Sequence, residues 1–198
     1  MKKIVLVLVA MALMVGTTQA NLLTNPGFED GAFGSGTPDD WYTYYSATGA
    51  ISLTWVNTTA HADNKCVRLQ KISDGTTWYC GYWMQEVDVT ALAEYSVSVW
   101  VKNETAGQSN KIYAGLIWDI GGSDYISAYV DTTDWAKYDF ASMTAPAGAV
   151  SAAFYLCHSS SVPLGNTILL DDASLVPEPV TIGLLGLGML MLRRRKKA

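Results

Sequence analysis

The chain has 198 residues, a formal net charge of −5 and only two histidines. Seven of its 13 basic residues lie in the first three and last six positions, so residues 21–176 carry six basic and 17 acidic residues, a net charge near −11. This balance argues against a nucleic-acid-binding protein, since phosphate contacts need clustered Lys and Arg. The length of 21–176 fits one domain.

The N terminus has the pattern of an export signal. Two lysines precede an apolar run of twelve residues, 4–15, and the small residues Thr18 and Ala20 mark a cleavage position. This order predicts a signal peptide over 1–20, forming a helix and cleaved after Ala20. An uncleaved anchor is the alternative, although the run is short for a membrane span.

Short stretches of alternating apolar and polar residues follow, rich in Trp, Tyr, Val, Thr and Ser, with no amphipathic helical stretch of useful length. Turn signals, most of them containing glycine, separate them. The pattern predicts nine strands, over 50–56, 66–72, 78–89, 95–102, 111–119, 124–130, 136–143, 150–157 and 167–176. So many short strands in one domain predict an all-β fold, a jelly-roll β-sandwich.

Three stretches of this domain resemble a known family. They are Asn21-Leu-Leu-Thr-Asn-Pro-Gly-Phe-Glu29 followed by Trp41, the residues 83–89 ahead of the strand 95–102, and Ile168-Leu-Leu-Asp-Asp-Ala-Ser-Leu175. They resemble the carbohydrate-binding modules of the family 4/9 kind, over most of 21–176. The resemblance implies a galactose-binding-like β-sandwich and, less directly, carbohydrate binding, because this fold hosts many ligands.

The aromatic side chains are the candidate ligand contacts, since sugars stack their C–H faces on rings. Alternation over 78–84 directs Trp83 inward with Val87, and Trp78 and Tyr82 to the opposite face. The predicted carbohydrate contacts are Trp78, Tyr82, Trp118, Tyr125 and Tyr129, with Arg68 and Gln85 as polar partners. Trp41, Tyr42, Tyr44 and Tyr45 are assigned to a loop at the rim. The alternative for any of these rings is a place in the core.

Acidic residues near the two ends of the domain suggest a metal site. In the resembled fold the first and last strands lie close together, and a structural calcium often sits beside them. Calcium binds six to eight oxygen ligands, and Glu29 and Asp172 are the candidate carboxylates. The alternative is that they are ordinary strand-end acids, since no dense Asp-x-Asp loop accompanies them.

Three cysteines are an odd number for an exported chain. Cys66 and Cys80 flank a short connection and are predicted to form a disulfide, with Cys157 unpaired. A disulfide directly across two neighbouring strands is geometrically demanding. The spacings fit no zinc site.

The C-terminal segment has the pattern of a second targeting signal. Pro177-Glu178-Pro179 is followed by 13 uncharged residues, 180–192, and then by the cations Arg193, Arg194, Arg195, Lys196 and Lys197. As a helix the run would span about 20 Å, less than the roughly 30 Å of a bilayer core. The three parts resemble the PEP-CTERM sorting signal of Gram-negative bacteria. The alternative is a disordered basic end.

The sorting-signal resemblance implies a substrate of an exosortase, a membrane transpeptidase. The chain would pass through the export machinery and signal peptidase, be held transiently in the inner membrane by its C-terminal hydrophobic helix, and reach the cell surface or extracellular matrix. It also implies a producer of extracellular polysaccharide. The predicted organisation is therefore a signal peptide 1–20, a β-sandwich domain 21–176 and a sorting tail 177–198.

No catalytic motif accompanies these features. The sequence has no Gly-x-Ser-x-Gly elbow and no His-Glu-x-x-His. The sequence thus favours a non-catalytic, exported protein that binds exopolysaccharide, with at most one structural calcium as cofactor. A structural or adhesive surface protein that binds no sugar and, less favoured, a small polysaccharide hydrolase are the alternatives.

Overall fold

The computed structural model describes residues 20–32, 36–45, 50–57, 59–73, 81–159 and 162–178. The predicted helices of the signal peptide and of the sorting tail lie outside them. The described residues contain no helix with the length and apolar character needed to cross a membrane.

Ten β-strands make up the described part of the chain. They are β1 (Tyr42–Tyr45), β2 (Ile51–Val56), β3 (Cys66–Lys71), β4 (Gly81–Asp88), β5 (Glu94–Asn103), β6 (Asn110–Trp118), β7 (Ser123–Val130), β8 (Ala136–Thr144), β9 (Ser151–His158) and β10 (Thr167–Pro177). All nine predicted strands are present. The prediction of a rim loop at residues 42–45 is wrong, because these residues form β1 and pair with β4.

The strands form two antiparallel sheets of five strands each. Sheet A has the order β1-β4-β9-β6-β7, and sheet B has the order β2-β3-β10-β5-β8. Only β2–β3 and β6–β7 are consecutive strands that pair, so the other connections pass from one sheet to the other. One hydrophobic cluster contains residues of both sheets. The predicted all-β sandwich is confirmed.

Alternation along β4 shows how sheet A separates the core from solvent. Trp83 and Val87 are buried in the cluster between the sheets, whereas Tyr82 and Glu86 point to the outer face. The inward orientation predicted for Trp83 is therefore confirmed, and its side chain is fully buried. On β10 a bulge at Asp172, which has a φ of 45°, shifts the register between Asp171 and Ser174.

The chain leaves the sandwich at one end, which we call the exit end. The connections 89–93, 118–122 and 145–150 meet there through backbone hydrogen bonds, including Val89 N–H to Val150 O at 3.0 Å. The last described residue is held at the same end, since the Glu178 N–H donates to Glu94 O at 2.6 Å. We call the opposite end, where 103–110 and 162–166 lie, the closed end.

A buried polar network lies at the closed end. His158 is fully buried, and its Nε2 lies 2.6 Å from Asn110 Oδ1. Lys71, also buried, donates to Val162 O at 2.8 Å. Burial in the first place, and the nearby Lys71 charge in the second, lower the pKa of His158 to about 4.

His158 should make the protein less stable in mild acid. Because its pKa in the folded state lies below the unfolded value of about 6.5, the unfolded state binds the proton first as the pH falls from about 6.5 to about 4. The free energy of unfolding should decrease over this window by up to about 3 kcal/mol. In His158→Gln the decrease should be smaller by that amount, as measured by urea unfolding at several pH values. If the free energy of unfolding fell equally steeply with pH in both proteins, this prediction would be wrong.

Candidate functional site

Among the residues that the structure describes, seven tyrosines lie on the outer face of sheet A. We call this surface the tyrosine face. Its rings come from all five strands of sheet A: Tyr42 and Tyr44 from β1, Tyr82 from β4, Tyr155 from β9, Tyr113 from β6, and Tyr125 and Tyr129 from β7. Strand alternation explains their common direction, since the residues between them in β4, β6 and β9 pack into the core.

The strand register aligns these side chains in rows across the sheet. One row consists of Tyr44, Tyr82, Cys157, Tyr113 and Ser127, and the next consists of Tyr42, Met84, Tyr155, Gly115 and Tyr125. With strands spaced by about 4.8 Å, a row across five strands extends over about 19 Å.

The rings contact one another within and between these rows. The centroid distances are 5.9 Å for Tyr44–Tyr82, 5.3 Å for Tyr82–Tyr155 and 5.6 Å for Tyr113–Tyr125. The edge-strand rings are open to solvent, with Tyr44 55% and Tyr125 58% exposed, whereas the central Tyr155 is 6% exposed. The centre of the tyrosine face is thus closely packed, and the rings on its two edge strands are accessible to solvent.

Gly115 makes room for the central ring. A Cβ atom at this position would lie 2.6 Å from the Tyr155 hydroxyl oxygen and 2.5 Å from the backbone oxygen of Asp124. Any larger residue would therefore displace Tyr155 or the neighbouring strand β7.

Polar groups accompany the rings. Lys111 Nζ lies 5.1 Å from the centroid of Tyr113 and 5.4 Å from that of Tyr129. The Tyr42 hydroxyl donates to Glu86 Oε1 at 2.9 Å. Partial burial, and then the hydrogen bond and charge of Glu86, raise the pKa of Tyr42 to about 12, so this hydroxyl stays protonated at neutral pH. The face therefore combines flat apolar rings with hydrogen-bonding hydroxyls.

A family comparison matches residues 20–161 to a carbohydrate binding domain of the CBM 4/9 type. The match covers well over half of the chain. The chain belongs to this family of carbohydrate-binding domains. A sequence comparison with curated proteins found no match.

Solved structures with the same fold include several carbohydrate-binding modules. The module TmCBM61 in complex with β-1,4-galactotriose has a TM-score of 0.53 and 23% identity, covering 80% of this chain and 99% of that one. The CBM22-1 xylan-binding domain of Paenibacillus barcinonensis Xyn10C has a TM-score of 0.55 and 14% identity, covering 82% and 97%.

One similar structure is a larger enzyme. The arabinose-bound α-L-arabinofuranosidase MgGH51 has a TM-score of 0.65 and 19% identity, with 80% of this chain covered. The present chain spans only 26% of that protein. At these identities the structural likeness establishes the fold and not the ligand.

The carbohydrate-binding domain brings together three of the predicted ligand contacts. Tyr82, Tyr125 and Tyr129 lie on the tyrosine face, and Tyr129 is 69% exposed. Trp78 lies outside the described residues.

Three other predicted contacts lie elsewhere. Trp118 is 4% exposed within the core, and its indole N–H donates to Asp124 at 3.0 Å. Gln85 is buried, and its side chain accepts from Thr24 N–H and donates to Thr24 O, which fixes the start of the domain to β4. Arg68 lies on sheet B and donates to Glu104. These positions correct the prediction that the three side chains share a surface with Tyr82.

The predicted ligand contacts did not include the other four tyrosines of this face, Tyr42, Tyr44, Tyr113 and Tyr155. In β6 the inward residues Ile112 and Leu116 already imply that Tyr113 points outward and Trp118 inward, so this signal was available. Tyr155 gave no such signal, because β9 is buried on both faces. Tyr42 and Tyr44 belong to an edge strand of four residues, which is too short for a clear alternation.

The outer face of sheet B has a different character. Residues 59–65 cover part of it: the His61 ring stacks on Trp100 at 3.7 Å, and the N–H of His61 donates to Asp171 at 2.8 Å. A groove of about 410 Å³ lies further along β5 and β8. No Trp or Tyr is among the described residues that line it. Sheet A is therefore the better candidate for stacking on sugars.

The acidic residues predicted to bind calcium lie around Gly27. A Cβ at Gly27 would be 3.3 Å from Asp172 Oδ1, 3.9 Å from Asp171 Oδ1 and 3.9 Å from Glu29 Cγ. This space is bordered by carboxylates, the ligands that calcium prefers.

Donors from residues 61–65 also reach these carboxylates. Glu29 Oε1 accepts the N–H of Lys65 at 2.7 Å, and Asp172 Oδ2 lies 2.7 Å from His61 Nδ1. Among the described residues, no three His, Cys, Asp or Glu side chains are close enough to hold one ion. Glu29 and Asp172 could therefore bind calcium only if backbone oxygens supplied the remaining ligands.

Cys66 is buried in β3, opposite Val56 of β2. Burial, and then the nearby Asp171 charge, raise the pKa of its thiol to about 12. Cys80 lies outside the described residues, so the Cys66–Cys80 disulfide stays a prediction.

Gly115→Ala tests the packing of the tyrosine face. The added methyl group overlaps Tyr155 and the β7 backbone, so we expect a loss of about 1–3 kcal/mol in the free energy of unfolding, as for other overpacked sites. Urea unfolding measures it. Gly107→Ala would not serve as a control, because Gly107 has a φ of 78°, a left-handed conformation in which any added side chain is itself strained. Ser127→Ala is the control, because Ser127 is exposed on the same face. An equal loss of stability in both variants would contradict the conclusion that Gly115 makes room for Tyr155.

Proposed function

We propose that the tyrosine face binds a polysaccharide chain along the outer surface of sheet A. The observation that carries the proposal is the pair of registered rows. They place five tyrosines on five strands: Tyr44, Tyr82, Tyr155, Tyr113 and Tyr125. Membership of a carbohydrate-binding family supports it.

The shape of the face favours a chain over a single sugar. A row of about 19 Å is longer than one sugar ring, and the exposed rings lie on both edge strands. Stacking on each ring, with hydrogen bonds from neighbouring hydroxyls, would let several sugar units bind weakly and together. The β-1,4-galactotriose and xylan of the two similar modules are linear chains of this kind.

We further propose that the domain acts without catalysis at the surface of the producing cell. A signal peptide over 1–20 would export it, and an exosortase would process the tail at Pro177-Glu178-Pro179. The net charge near −11 of 21–176 supports a soluble domain. Pro179 and Arg193–Arg195 lie outside the described residues.

A matched pair of variants tests the binding face. Tyr44 and Tyr45 are neighbours in β1, but alternation places only Tyr44 beside Tyr82. Each ring lost from the face should weaken binding about two- to tenfold, the effect of roughly 0.5–1.5 kcal/mol. We expect Tyr44→Ala and Tyr125→Ala to reduce retardation in gels containing β-1,4-galactan or xylan, and Tyr45→Ala to leave it unchanged.

The alternatives give other results in the same assay. Equal losses in Tyr44→Ala and Tyr45→Ala would place binding elsewhere. No retardation by galactan, xylan or the polysaccharide of the producer would favour a structural or adhesive protein. Release of reducing ends from a bound polysaccharide would favour a hydrolase.

We also propose one structural calcium, held by Glu29 and Asp172 beside Gly27. The neighbouring Asp171 supports this, since burial raises its pKa to about 6 and a divalent cation would offset the buried charge. Backbone carbonyls would supply the remaining oxygens.

Calcium should stabilise the folded domain. At a calcium concentration of 100 times Kd the gain is about 2.7 kcal/mol, which would raise Tm by several degrees in a domain of this size. Differential scanning calorimetry with calcium and with EDTA measures this, and Asp172→Asn should reduce the difference. The exposed Asp139→Asn on β8 is the control. Identical Tm values with calcium and EDTA would contradict the proposal.

A further inference from the structure

The exit end of the sandwich presents large apolar side chains to solvent. Leu92 is 70% exposed, Val150 is 67% exposed and Ile120 is 52% exposed. They come from the three different connections 89–93, 145–150 and 118–122. Nearby, Ile117 at the end of β6 is 40% exposed. Exposed apolar residues gathered from separate loops are typical of a surface that contacts something apolar.

These connections are fixed to one another. Leu92 N–H donates to Ala145 O at 2.9 Å, and Asp119 N–H donates to Ser151 O at 3.2 Å. The Asp119 carboxylate accepts from Val150 N–H at 3.3 Å. The apolar side chains are thus held on a shared framework of backbone hydrogen bonds.

The C-terminal segment leaves from this same end on a short tether. Pro177 pairs with Tyr95, Glu178 N–H donates to Glu94 O at 2.6 Å, and the Ser96 hydroxyl donates to the Glu178 carboxylate. Only Pro179 separates Glu178 from the uncharged run 180–192. Two residues of extended chain reach about 7 Å.

This tether restricts where the domain can be when the run 180–192 lies in a bilayer. The headgroup region on one side of a bilayer is about 5–8 Å thick. A tether of about 7 Å therefore brings the exit end to the level of the headgroups. An apolar residue gains free energy there by leaving water.

We propose that Leu92, Ile120 and Val150 insert into the outer headgroup region of the membrane while the tail anchors the chain. The inference rests on the proposed anchoring of the tail and does not depend on sugar binding. The flanking carboxylates of Glu94 and Asp119 favour a zwitterionic over an anionic lipid surface. The domain is then held upright on its exit end, with the tyrosine face on its side.

Photo-cross-linking to lipid tests the insertion. The exported chain, with its tail intact, is reconstituted in phosphatidylcholine vesicles with p-benzoylphenylalanine in place of Leu92, Ile120 or Val150. Ile72 and Leu164 are matched controls at the closed end, being 49% and 55% exposed. Leu187, in the run 180–192, reports whether the tail is inserted. Mass spectrometry counts the lipid adducts.

We expect adducts at Leu187 and at the exit-end positions, several-fold above those at Ile72 and Leu164. Adducts at Leu187 alone would show a domain held off the membrane and would overturn the proposal. Equal adducts at both ends would show unspecific adsorption and overturn it as well. Chain-to-chain products at Leu92 or Val150 would show that a second copy covers this end, and would also overturn it.

The absence of adducts at every position would overturn the insertion together with the anchoring on which it rests. The gel assay with Tyr44→Ala and Tyr45→Ala is independent of lipid, so it shows separately whether carbohydrate binding stands.

Discussion

The packing of Trp83, Phe154 and Leu116 against sheet B determines which side of sheet A faces solvent. Because successive side chains of a strand point to opposite faces, burying these residues directs Tyr82, Tyr155 and Tyr113 outward. Truncating a buried Trp or Phe costs about 3–5 kcal/mol. A slip of one residue in these strands would place tyrosines in the core and leave the apolar set in water. The tyrosine face is therefore the outer surface of the same strands whose inward side chains form the core.

The two sheets have different outer surfaces. Sheet B is partly covered by residues 59–65, which bury Asp171 and stack His61 on Trp100. Sheet A has no such cover in the described part of the chain, and its edge strands present Tyr44 and Tyr125 to solvent. A sandwich needs its apolar faces buried only on the inside, so one outer face can stabilise the fold while the other is available for a ligand.

Particular strands show how far the sequence could predict the site. Alternation in β4 correctly separated Trp83 from Tyr82, because Trp83 and Val87 are buried between the sheets whereas Glu86, on the same face as Tyr82, is exposed. The same rule applied to β6 would have placed Trp118 in the core and Tyr113 outside. It could not apply to β9, which is buried on both faces, nor to the four residues of β1. Local pattern could not show that Arg68 and Tyr82 lie on different sheets, because their strands β3 and β4 are consecutive in the chain.

The sequence by itself determined the all-β class, the strand positions and the resemblance to carbohydrate-binding modules, because these depend on local periodicity and short motifs. It also shows an apolar run before the domain and another after it. Only the tertiary structure decided which strands are neighbours, and therefore that tyrosines from five strands form one surface. It alone placed Leu92, Ile120 and Val150 at the end where the chain leaves the domain. Both surfaces are assembled from residues far apart in the chain, and no local pattern encodes such contacts.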